Sequence, residues 1–389
     1  MIGLHHSCVG ESHKATNKPC QDFSLVEIGD NLSLAIVCDG HGGERYFRSD
    51  IGAQIATEVT NNLVNEFVQT LGETLFPGKP FTEKYARTTE AENPALITKE
   101  TTVDKAFNQL FSSIIYNWHE RIMQHAEQNA ANEWEQQNVK PEYLDDLLNK
   151  KDLEKLYGCT LMCYVQAPTY WFAFHLGDGK CFAFANDGTW KEPIPWDDRC
   201  FLNKTTSICD SKAIDEFRYC YCGDGTFPMA VFLGSDGIDD SFGEDENMIN
   251  FYVQILKLFA TKSTEEVQSS LEETLPELSR IGSKDDMSIA CIINEEHLQD
   301  GVKHLTRWQL NRLAEQIVSL NEKIVKLRAD IAQFEQIEQL SQKEMIDFQY
   351  AKKELDRTEE IKQSTILRWN KIAEEFSPET FVPYNDEIG

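Results

Sequence analysis

Short apolar runs recur along the first three hundred residues, and most of them end at turns rich in glycine and aspartate. Their β-branched, aromatic and aliphatic residues are typical of strands, and the flanking Asp-Gly and Gly-Gly pairs are typical of tight turns. The pattern predicts strands at residues 32–38, 159–165, 170–175, 181–185, 229–233 and 288–293.

Helical periodicity separates these predicted strands. Residues 51–71 place an apolar side chain at every fourth position, which forms one buried stripe along a helix. Residues 103–134 and 248–259 repeat the pattern, whereas 76–102 are polar, contain three prolines and predict a surface excursion. Strands that alternate with long helices predict an α+β domain with two stacked sheets and helices on both outer faces.

The pattern changes at about residue 306. Apolar residues then step by three and four positions, an a/d seam with charged residues between its members: Leu310, Leu313, Ile317, Leu320, Ile324, Leu327, Ile331 and Phe334. Residues 336–343 blur the register and indicate a point where the helix turns back. A helical hairpin, a dimeric coiled coil and packing on the preceding domain all fit the seam. We therefore divide the chain into a domain at 1–300, a helical module at 303–376 and a tail at 377–389.

The net charge of the chain is −28, and residues 1–302 hold most of it, with 24 basic and 49 acidic residues. Such an acidic body repels nucleic-acid phosphates, so we expect no DNA or RNA partner. No stretch reaches about 18 consecutive apolar residues, and residues 1–10 lack the pattern of a signal peptide. We expect a cytoplasmic protein with no membrane partner, whose eleven cysteines are reduced core thiols.

Four aspartates stand directly before or after apolar runs: Asp22, Asp39, Asp236 and Asp285. A sheet fixes the backbone at such a position while the side chain faces solvent. Carboxylates gathered at several strand ends repel one another, which makes hard divalent cations their natural partners. A single Asp-Gly pair is more often an ordinary turn, so the argument depends on the whole set.

Six short motifs carry a family resemblance: QD at 21–22, DGHGG at 39–43, YGCT at 157–160, GDGK at 177–180, SDGIDD at 235–240 and KDDMS at 284–288. In this order and spacing they resemble the metal-dependent protein serine/threonine phosphatases of type 2C, over about residues 1–295. The resemblance implies a β-sandwich of two antiparallel sheets flanked by helix pairs. It also implies hydrolysis of phosphoserine and phosphothreonine in proteins, although a phosphatase for small phosphate esters would share the metal chemistry.

The resemblance assigns roles to the aspartates. Asp39 would bridge two Mn²⁺ or Mg²⁺ ions, and Gly40 would offer its carbonyl oxygen to one of them. Asp236 and Asp285 would complete the coordination of the other ion, and Asp22 would bind directly or through a water. Two such ions lower the pKa of a bridging water, so that a hydroxide attacks phosphorus in line.

Three further residues receive roles from the same resemblance. His41, between glycines in the DGHGG motif, would protonate the leaving seryl oxygen, and a purely structural histidine is the alternative. Asp178 and Asp240 would form a third, weaker metal site. Asp178 could equally be an ordinary turn residue.

The sequence departs from the family pattern near the first aspartate. Gln21 stands where many members have glutamate, and residues 12–18 contain no arginine of the kind that grips the substrate phosphate. His13 is the candidate for phosphate or metal contact in its place, and Lys14 or Lys18 could share the phosphate-binding role. A lysine would act as a point charge, without the bidentate geometry of arginine.

Two functions for the whole chain follow. The first is a metal-dependent phosphatase in which residues 303–376 form a homodimer or dock a partner helix. The second is a catalytically weak pseudophosphatase that acts as a scaffold through the coiled coil. All four main aspartates are present, which favours the enzyme. Residues 186–226, where this family varies most, give no indication of the substrate.

Overall fold

The computed structural model describes residues 1–87, 100–200 and 204–384. The chain divides into two compact units, Met1–Gln299 and Asp300–Gly389. Part of the predicted surface excursion at 76–102, part of the variable segment at 186–226 and the end of the predicted tail lie outside the described residues.

Two antiparallel sheets form the framework of the N-terminal unit. The strands are β1 (Ile2–Cys8), β2 (Phe23–Ile28), β3 (Ser33–Cys38), β4 (Thr82–Lys84), β5 (Leu161–Gln166), β6 (Trp171–Leu176), β7 (Lys180–Phe184), β8 (Trp190–Lys191), β9 (Arg218–Cys222), β10 (Ala230–Gly234) and β11 (Met287–Ile293). One sheet has the order β1-β11-β10-β7-β8, and the other has the order β2-β3-β5-β6-β9-β4.

Alternate residues of β3 face two different layers. Ala35 and Val37 belong to the apolar cluster that joins both sheets, whereas Leu34, Ile36 and Cys38 belong to the cluster that includes the helices. Because side chains alternate along a strand, a strand covered on both sides is apolar at every position. This is why the continuous run LAIVC, which shows no polar alternation, forms a strand.

Helices cover the outer faces of the sandwich. They are α1 (Glu11–Lys14), α2 (Ser49–Phe67), α3 (Glu73–Leu75), α4 (Thr102–Gln128), α5 (Glu133–Asn138), α6 (Pro141–Asn149), α7 (Leu153–Leu156), α8 (Ala213–Glu216), α9 (Asp236–Phe242), α10 (Asp245–Phe259) and α11 (Thr264–Ile281). The pair α2 and α4 packs on the sheet that contains β3, and the pair α10 and α11 packs on the other sheet. The predicted α+β sandwich with flanking helix pairs is confirmed.

The predicted helix at 103–134 is wrong at its C-terminal end. α4 ends at Gln128, and the next helix begins after Asn132, whose side chain accepts the backbone N–H of Glu135. The Glu135 side chain accepts the N–H of Asn132 in return, which makes a capping box. The apolar spacing of the sequence continues through residues 129–132, but the capping box at Asn132 starts a new helix there.

Two long helices, α12 (Glu295–Glu335) and α13 (Gln342–Phe376), run antiparallel as a hairpin, and the C-terminal unit contains both except residues 295–299 of α12. α12 begins earlier than the predicted start at residue 303. The interruption falls within 336–343, where the sequence pattern indicated a turn, and the Ser341 capping box starts the second helix.

The apolar seam holds this hairpin together. Ile317, Ile324 and Ile331 are buried, at one heptad spacing. Ion pairs also join the two helices, among them Lys323 with Glu354 at 2.6 Å. An exposed pair contributes only about 0 to 1 kcal/mol, less than one buried isoleucine, so the seam dominates.

All eleven cysteines are free thiols, and all except Cys20 are buried. Burial raises the pKa of thiols such as Cys163 and Cys181, which therefore behave as small apolar side chains in the sheets. Among the described helices, none has the length and apolar composition needed to cross a membrane.

Candidate active site

Carboxylates line a cavity at one edge of the N-terminal unit. The cavity has a volume of about 690 Å³, and its walls include eight aspartates: Asp22, Asp39, Asp178, Asp210, Asp236, Asp240, Asp285 and Asp286. Gly40 and His41 lie on the same wall. The structure therefore brings together the seven residues predicted as metal ligands and His41, whereas His13, a candidate for phosphate or metal contact, does not line this cavity.

Strand pairing explains how the first two aspartates meet. In the β2–β3 pair Phe23 lies opposite Cys38, so Asp22, just before β2, and Asp39, just after β3, stand at the same edge of the sheet. Antiparallel pairing always places the end of one strand beside the start of its neighbour.

The β10–β11 pair positions two more aspartates in the same way. The N–H of Ser235 donates to the Ser288 carbonyl at 3.0 Å, and the N–H of Ser288 donates to Ser235 Oγ at 2.9 Å. Asp236 follows directly as the first residue of α9, and Asp285 lies just before β11. Both carboxylates therefore leave the sheet at one edge.

The backbone around Asp39 is held firmly. Its N–H donates to Thr160 Oγ1 at 3.0 Å, and the N–H of Thr160 donates to the Asp39 carbonyl at 2.7 Å. The N–H of Gly40 donates to the Gln21 carbonyl at 3.1 Å. A Cβ at Gly40 would lie 2.5 Å from that carbonyl oxygen and 2.9 Å from the backbone of Ser49, so glycine alone fits.

The electrostatics of the cavity favour a cation. Burial raises the pKa of Asp22, Asp39 and Asp236, that of Asp236 to about 7, and neighbouring carboxylates such as Asp286 add to the effect at Asp22. Asp22 Oδ2 is buried and has no hydrogen-bond partner in the part of the chain that the structure describes. A divalent ion would satisfy this oxygen and compensate the crowded charge, so the donor set fits Mn²⁺ or Mg²⁺.

The carboxylates face a common space without converging on a single point. Within residues 1–87, 100–200 and 204–384, no three histidine, cysteine, aspartate or glutamate side chains are grouped closely enough to form a ready-made metal site. Asp39 and Asp236 nevertheless lie close enough to hydrogen-bond to each other.

His41 lies at the cavity wall in a neutral form. Its Nε2 is 2.7 Å from Ser207 Oγ, and the same hydroxyl lies 3.0 Å from the Cys159 carbonyl oxygen. Burial lowers the pKa of His41 to about 4, against an opposing contribution from Asp210. At pH 7 the ring is therefore neutral, and an additional anion beside it is needed before it becomes the imidazolium acid.

The two residues predicted for a third metal site also reach the cavity. Asp178 stands in the turn between β6 and β7, and Asp240 lies on α9. Burial raises the pKa of both carboxyl groups. Asp178 is thus a cavity residue as well as a turn residue.

His13 occupies a different position from the predicted metal ligands. Its Nδ1 lies 2.9 Å from Asp286 Oδ2, and it is absent from the wall of the carboxylate cavity. Asp286 also accepts the N–H groups of Gly10 and Gln21, each at 2.6 Å. His13 therefore belongs to a buried network that fixes the Asp286 carboxylate and joins the first loop to β11.

Lys14 and Lys18 lie on the wall of a second cavity, of about 740 Å³. Lys18 borders the carboxylate cavity, because its ammonium group donates to the Gly42 carbonyl at 3.3 Å and Gly42 lines that cavity. None of the three predicted phosphate contacts lines the carboxylate cavity itself, although His13 contacts Asp286 and Lys18 borders the cavity at Gly42.

Gln21 fills a structural position. Its side-chain nitrogen donates to Ser49 Oγ at 2.6 Å and to the Tyr46 carbonyl at 3.3 Å. Both partners lie in the segment that leads from the DGHGG motif into α2. The residue that departs from the family pattern thus ties this loop to the strand edge.

Several cavity residues were not predicted as site residues. Asp286 and Thr160 belong to the quoted motifs KDDMS and YGCT. The motifs therefore pointed to this region, but in KDDMS the site role was assigned to Asp285, and in YGCT no residue received one. Lys204, Ser207 and Asp210 come from the variable segment at 186–226, which carries no motif. Their place at the cavity depends on the path of that segment, for which the sequence offers no local signal.

The sandwich and its carboxylate cavity agree with the fold and site that the resemblance implied, and comparison with known families identifies the family. A family model described as Protein phosphatase 2C matches residues 9–276. The chain belongs to the protein phosphatase 2C family and is a protein serine/threonine phosphatase.

Solved structures with a related fold have low sequence identity to this chain. The serine/threonine phosphatase Stp1 from Staphylococcus aureus is 15% identical, with 76% of this chain and 95% of that chain covered and a TM-score of 0.43. PppA from Pseudomonas aeruginosa is 14% identical, with 75% and 96% covered and a TM-score of 0.41. A C. elegans sex determining protein is 17% identical, with 78% and 67% covered and a TM-score of 0.44. A search of curated proteins found no match.

Proposed function

We propose that this phosphatase depends on divalent ions, Mn²⁺ or Mg²⁺, held in the carboxylate cavity, as is general in the family. Asp39 would contact two ions and the Gly40 carbonyl one of them. Asp236 and Asp285 would hold the second ion, with Asp22 contributing directly or through a water. When bound, such ions activate water for in-line attack on phosphorus.

The presence of eight aspartates on the wall of one cavity carries this proposal. Lys204 is the single lysine or arginine among the described residues of the cavity wall, so the protein itself supplies little compensating charge. The orphaned Oδ2 of Asp22 adds a specific acceptor that no described residue satisfies. Unpaired buried carboxylates destabilise a fold, and bound divalent cations remove that penalty.

His41 is proposed to protonate the leaving oxygen of phosphoserine or phosphothreonine. A phosphate group in the cavity brings negative charge beside the ring, which raises the pKa of His41 from its resting value of about 4. Ser207 holds the imidazole in place through its 2.7 Å contact with Nε2. The chain's own contribution is therefore an oriented proton donor at one wall of the cavity.

Asp178 and Asp240 are proposed to bind a third ion more weakly. Both line the cavity, and Asp240 is the more exposed of the two. An exposed carboxylate holds a cation less tightly because water competes for both partners.

Hydrolysis of a phosphothreonine peptide by the full chain tests the proposal, with Mn²⁺ and with EDTA. Asp39→Asn should abolish Mn²⁺-dependent turnover and leave the far-ultraviolet circular dichroism spectrum unchanged. Asp30→Asn is the matched control, because Asp30 is an exposed turn aspartate outside the cavity and its loss should change nothing. Full activity of Asp39→Asn, or wild-type turnover in EDTA, would contradict the proposal.

We also propose that residues 1–300 are the catalytic part and that 303–376 bind a second copy of the hairpin or a partner helix. Val318, Val325 and Leu367 are 50%, 67% and 69% exposed on the hairpin, an unusual position for aliphatic side chains. Light scattering of the full chain tests self-association. A monomeric mass would contradict self-association and leave the binding of a partner helix as the proposed role of residues 303–376.

A further inference from the structure

A second cavity lies beside the DGHGG loop (residues 39–43) in the N-terminal unit. Its volume is about 740 Å³, slightly more than that of the carboxylate cavity. We call it the lysine cleft and define it by Lys14, Lys18, Phe47, Asp50, Trp134 and Glu135. Its walls come from α1 and the loop after it, the first turn of α2, and α5.

The positive charges of the lysine cleft are nearly uncompensated. Lys18 donates to the Gly42 carbonyl and interacts electrostatically with Glu44, which is itself paired with Lys140. Lys14 has one acidic neighbour, Glu11, at 3.7 Å, and both side chains are more than 40% exposed. Such a loose exposed pair contributes little, so both ammonium groups are available to a ligand.

The carboxylates of the cleft, in contrast, are already bound within the protein. Both oxygens of Glu135 accept from the Arg48 guanidinium, at 2.7 and 3.0 Å. Asp50 accepts backbone N–H groups in the first turn of α2. Three cationic side chains (Lys14, Lys18 and Arg48) and two carboxylates (Asp50 and Glu135) line the cleft, so the net charge of its wall is positive. This is a local exception in an N-terminal unit whose net charge is strongly negative.

The cleft also offers apolar surface. Phe47 and Trp134 lie on its wall and are half-buried, and Ile51 extends the apolar side. Half-buried aromatic side chains beside cationic groups are a common means of binding a peptide that carries both acidic and apolar residues.

The lysine cleft adjoins the carboxylate cavity. The DGHGG loop separates them, because Gly42 lines the carboxylate cavity while its carbonyl accepts from Lys18 on the cleft side. A polypeptide whose phosphorylated residue enters the carboxylate cavity can therefore continue past Lys18 into the cleft.

We propose that the lysine cleft binds an acidic segment of the phosphoprotein substrate, containing an apolar or aromatic side chain, next to the phosphorylated residue. Only the placement of the phosphorylated residue depends on the function proposed above. The cleft selects among phosphoproteins, whereas the carboxylate cavity carries out the hydrolysis.

Binding of an unphosphorylated peptide tests the cleft without any turnover. The probe is a short fluorescein-labelled peptide of glutamate and serine with one phenylalanine, and its twin has glutamine in place of glutamate. Fluorescence anisotropy in EDTA should show tighter binding of the glutamate peptide, weakened by added salt. Lys14→Gln with Lys18→Gln should lower its affinity roughly tenfold, the loss expected for two charge contacts at a partly exposed site.

A matched control removes the same charge elsewhere. Lys151 and Lys262 are exposed and line neither cavity, so Lys151→Gln with Lys262→Gln should leave the affinity unchanged. Trp134→Ala should weaken both peptides, because it removes apolar contact. Two results would overturn the proposal. One is equal affinity of the wild type for the two peptides, and the other is a loss of affinity in the control variant as large as that in the Lys14→Gln, Lys18→Gln variant.

Hydrolysis of the corresponding phosphopeptides separates this proposal from the catalytic one. The double variant Lys14→Gln with Lys18→Gln should lower kcat/KM for the acidic phosphopeptide more than for its glutamine twin. Peptide binding as described with no metal-dependent hydrolysis would contradict the catalytic proposal alone. Hydrolysis with the same kcat/KM ratio in the wild type and the lysine variant would contradict the cleft alone.

Discussion

Removal of one crowded carboxylate should stabilise the metal-free protein while it weakens metal binding. Asp236 is the best position for this perturbation. Burial raises its pKa to about 7, with added repulsion from Asp178, Asp285 and Asp240. Asp236→Asn keeps the shape of the side chain and one acceptor oxygen, replaces the other oxygen with an NH2 donor, and removes the titratable charge.

The magnitude follows from the difference between a pKa of 3.8 and one of about 7, which corresponds to about 4 kcal/mol. Because the folded form holds the proton more tightly than the unfolded form, the unfavourable contribution of Asp236 is absent below pH 4. It grows between pH 4 and pH 7 and is complete above pH 7. In EDTA, Asp236→Asn should therefore raise the free energy of unfolding by up to about 4 kcal/mol at pH 8 and by clearly less at pH 5.

Urea unfolding at the two pH values, in EDTA and again in MnCl₂, measures this effect. In EDTA the variant should be the more stable protein at pH 8. In MnCl₂ the order should reverse, because the wild type gains stability by binding the ion and the variant gains less. A variant that is equally stabilised at both pH values, or that gains as much from Mn²⁺ as the wild type, would refute the reasoning.

Three other substitutions test the framework of the site. Thr160→Val removes the hydroxyl that accepts the N–H of Asp39; we expect urea unfolding to show a loss of about 1 to 2 kcal/mol and calorimetry to show weaker Mn²⁺ binding. Gly40→Ala places a methyl group against the backbone and should lower stability by more than about 2 kcal/mol; an unchanged melting temperature would contradict the close approach. Arg48→Met leaves Glu135 buried without its cation and should lower stability by about 3 to 5 kcal/mol, and adding Glu135→Gln should recover part of the loss.

The fold class was predictable because its signals are local. Apolar runs such as LAIVC are strands covered on both sides, and the turns beside them carry glycine and aspartate. The helix that begins at Ser49 has an apolar stripe that matches its buried face. Boundaries were harder, as at Asn132, because a capping box is a short signal within a longer periodic pattern.

The gathering of aspartates at one cavity was predictable from their place at strand ends. Antiparallel pairing needs only the strand limits to bring Asp22 beside Asp39. The contact between His13 and Asp286 was not predictable in this way, because Asp286 is 273 positions further along the chain. Such a contact follows from the pairing of β1 with β11, which no local pattern indicates.

The substrate side of the site was the least predictable. Lys204, Ser207 and Asp210 reach the cavity from a segment without motif or periodicity. Lys14 and Lys18 were associated with phosphate on the basis of charge and proximity in sequence. The structure instead places them in the lysine cleft, which the DGHGG loop separates from the carboxylate cavity.

Calorimetric titration of Mn²⁺ into the EDTA-stripped full chain tests the central claim most directly, since it measures the metal site without substrate. The carboxylate cavity should take up at least two ions per chain, and Asp39→Asn should lose this uptake while remaining folded. A wild-type protein that binds no Mn²⁺, or an Asp39→Asn variant that binds it as well as the wild type, would contradict the account.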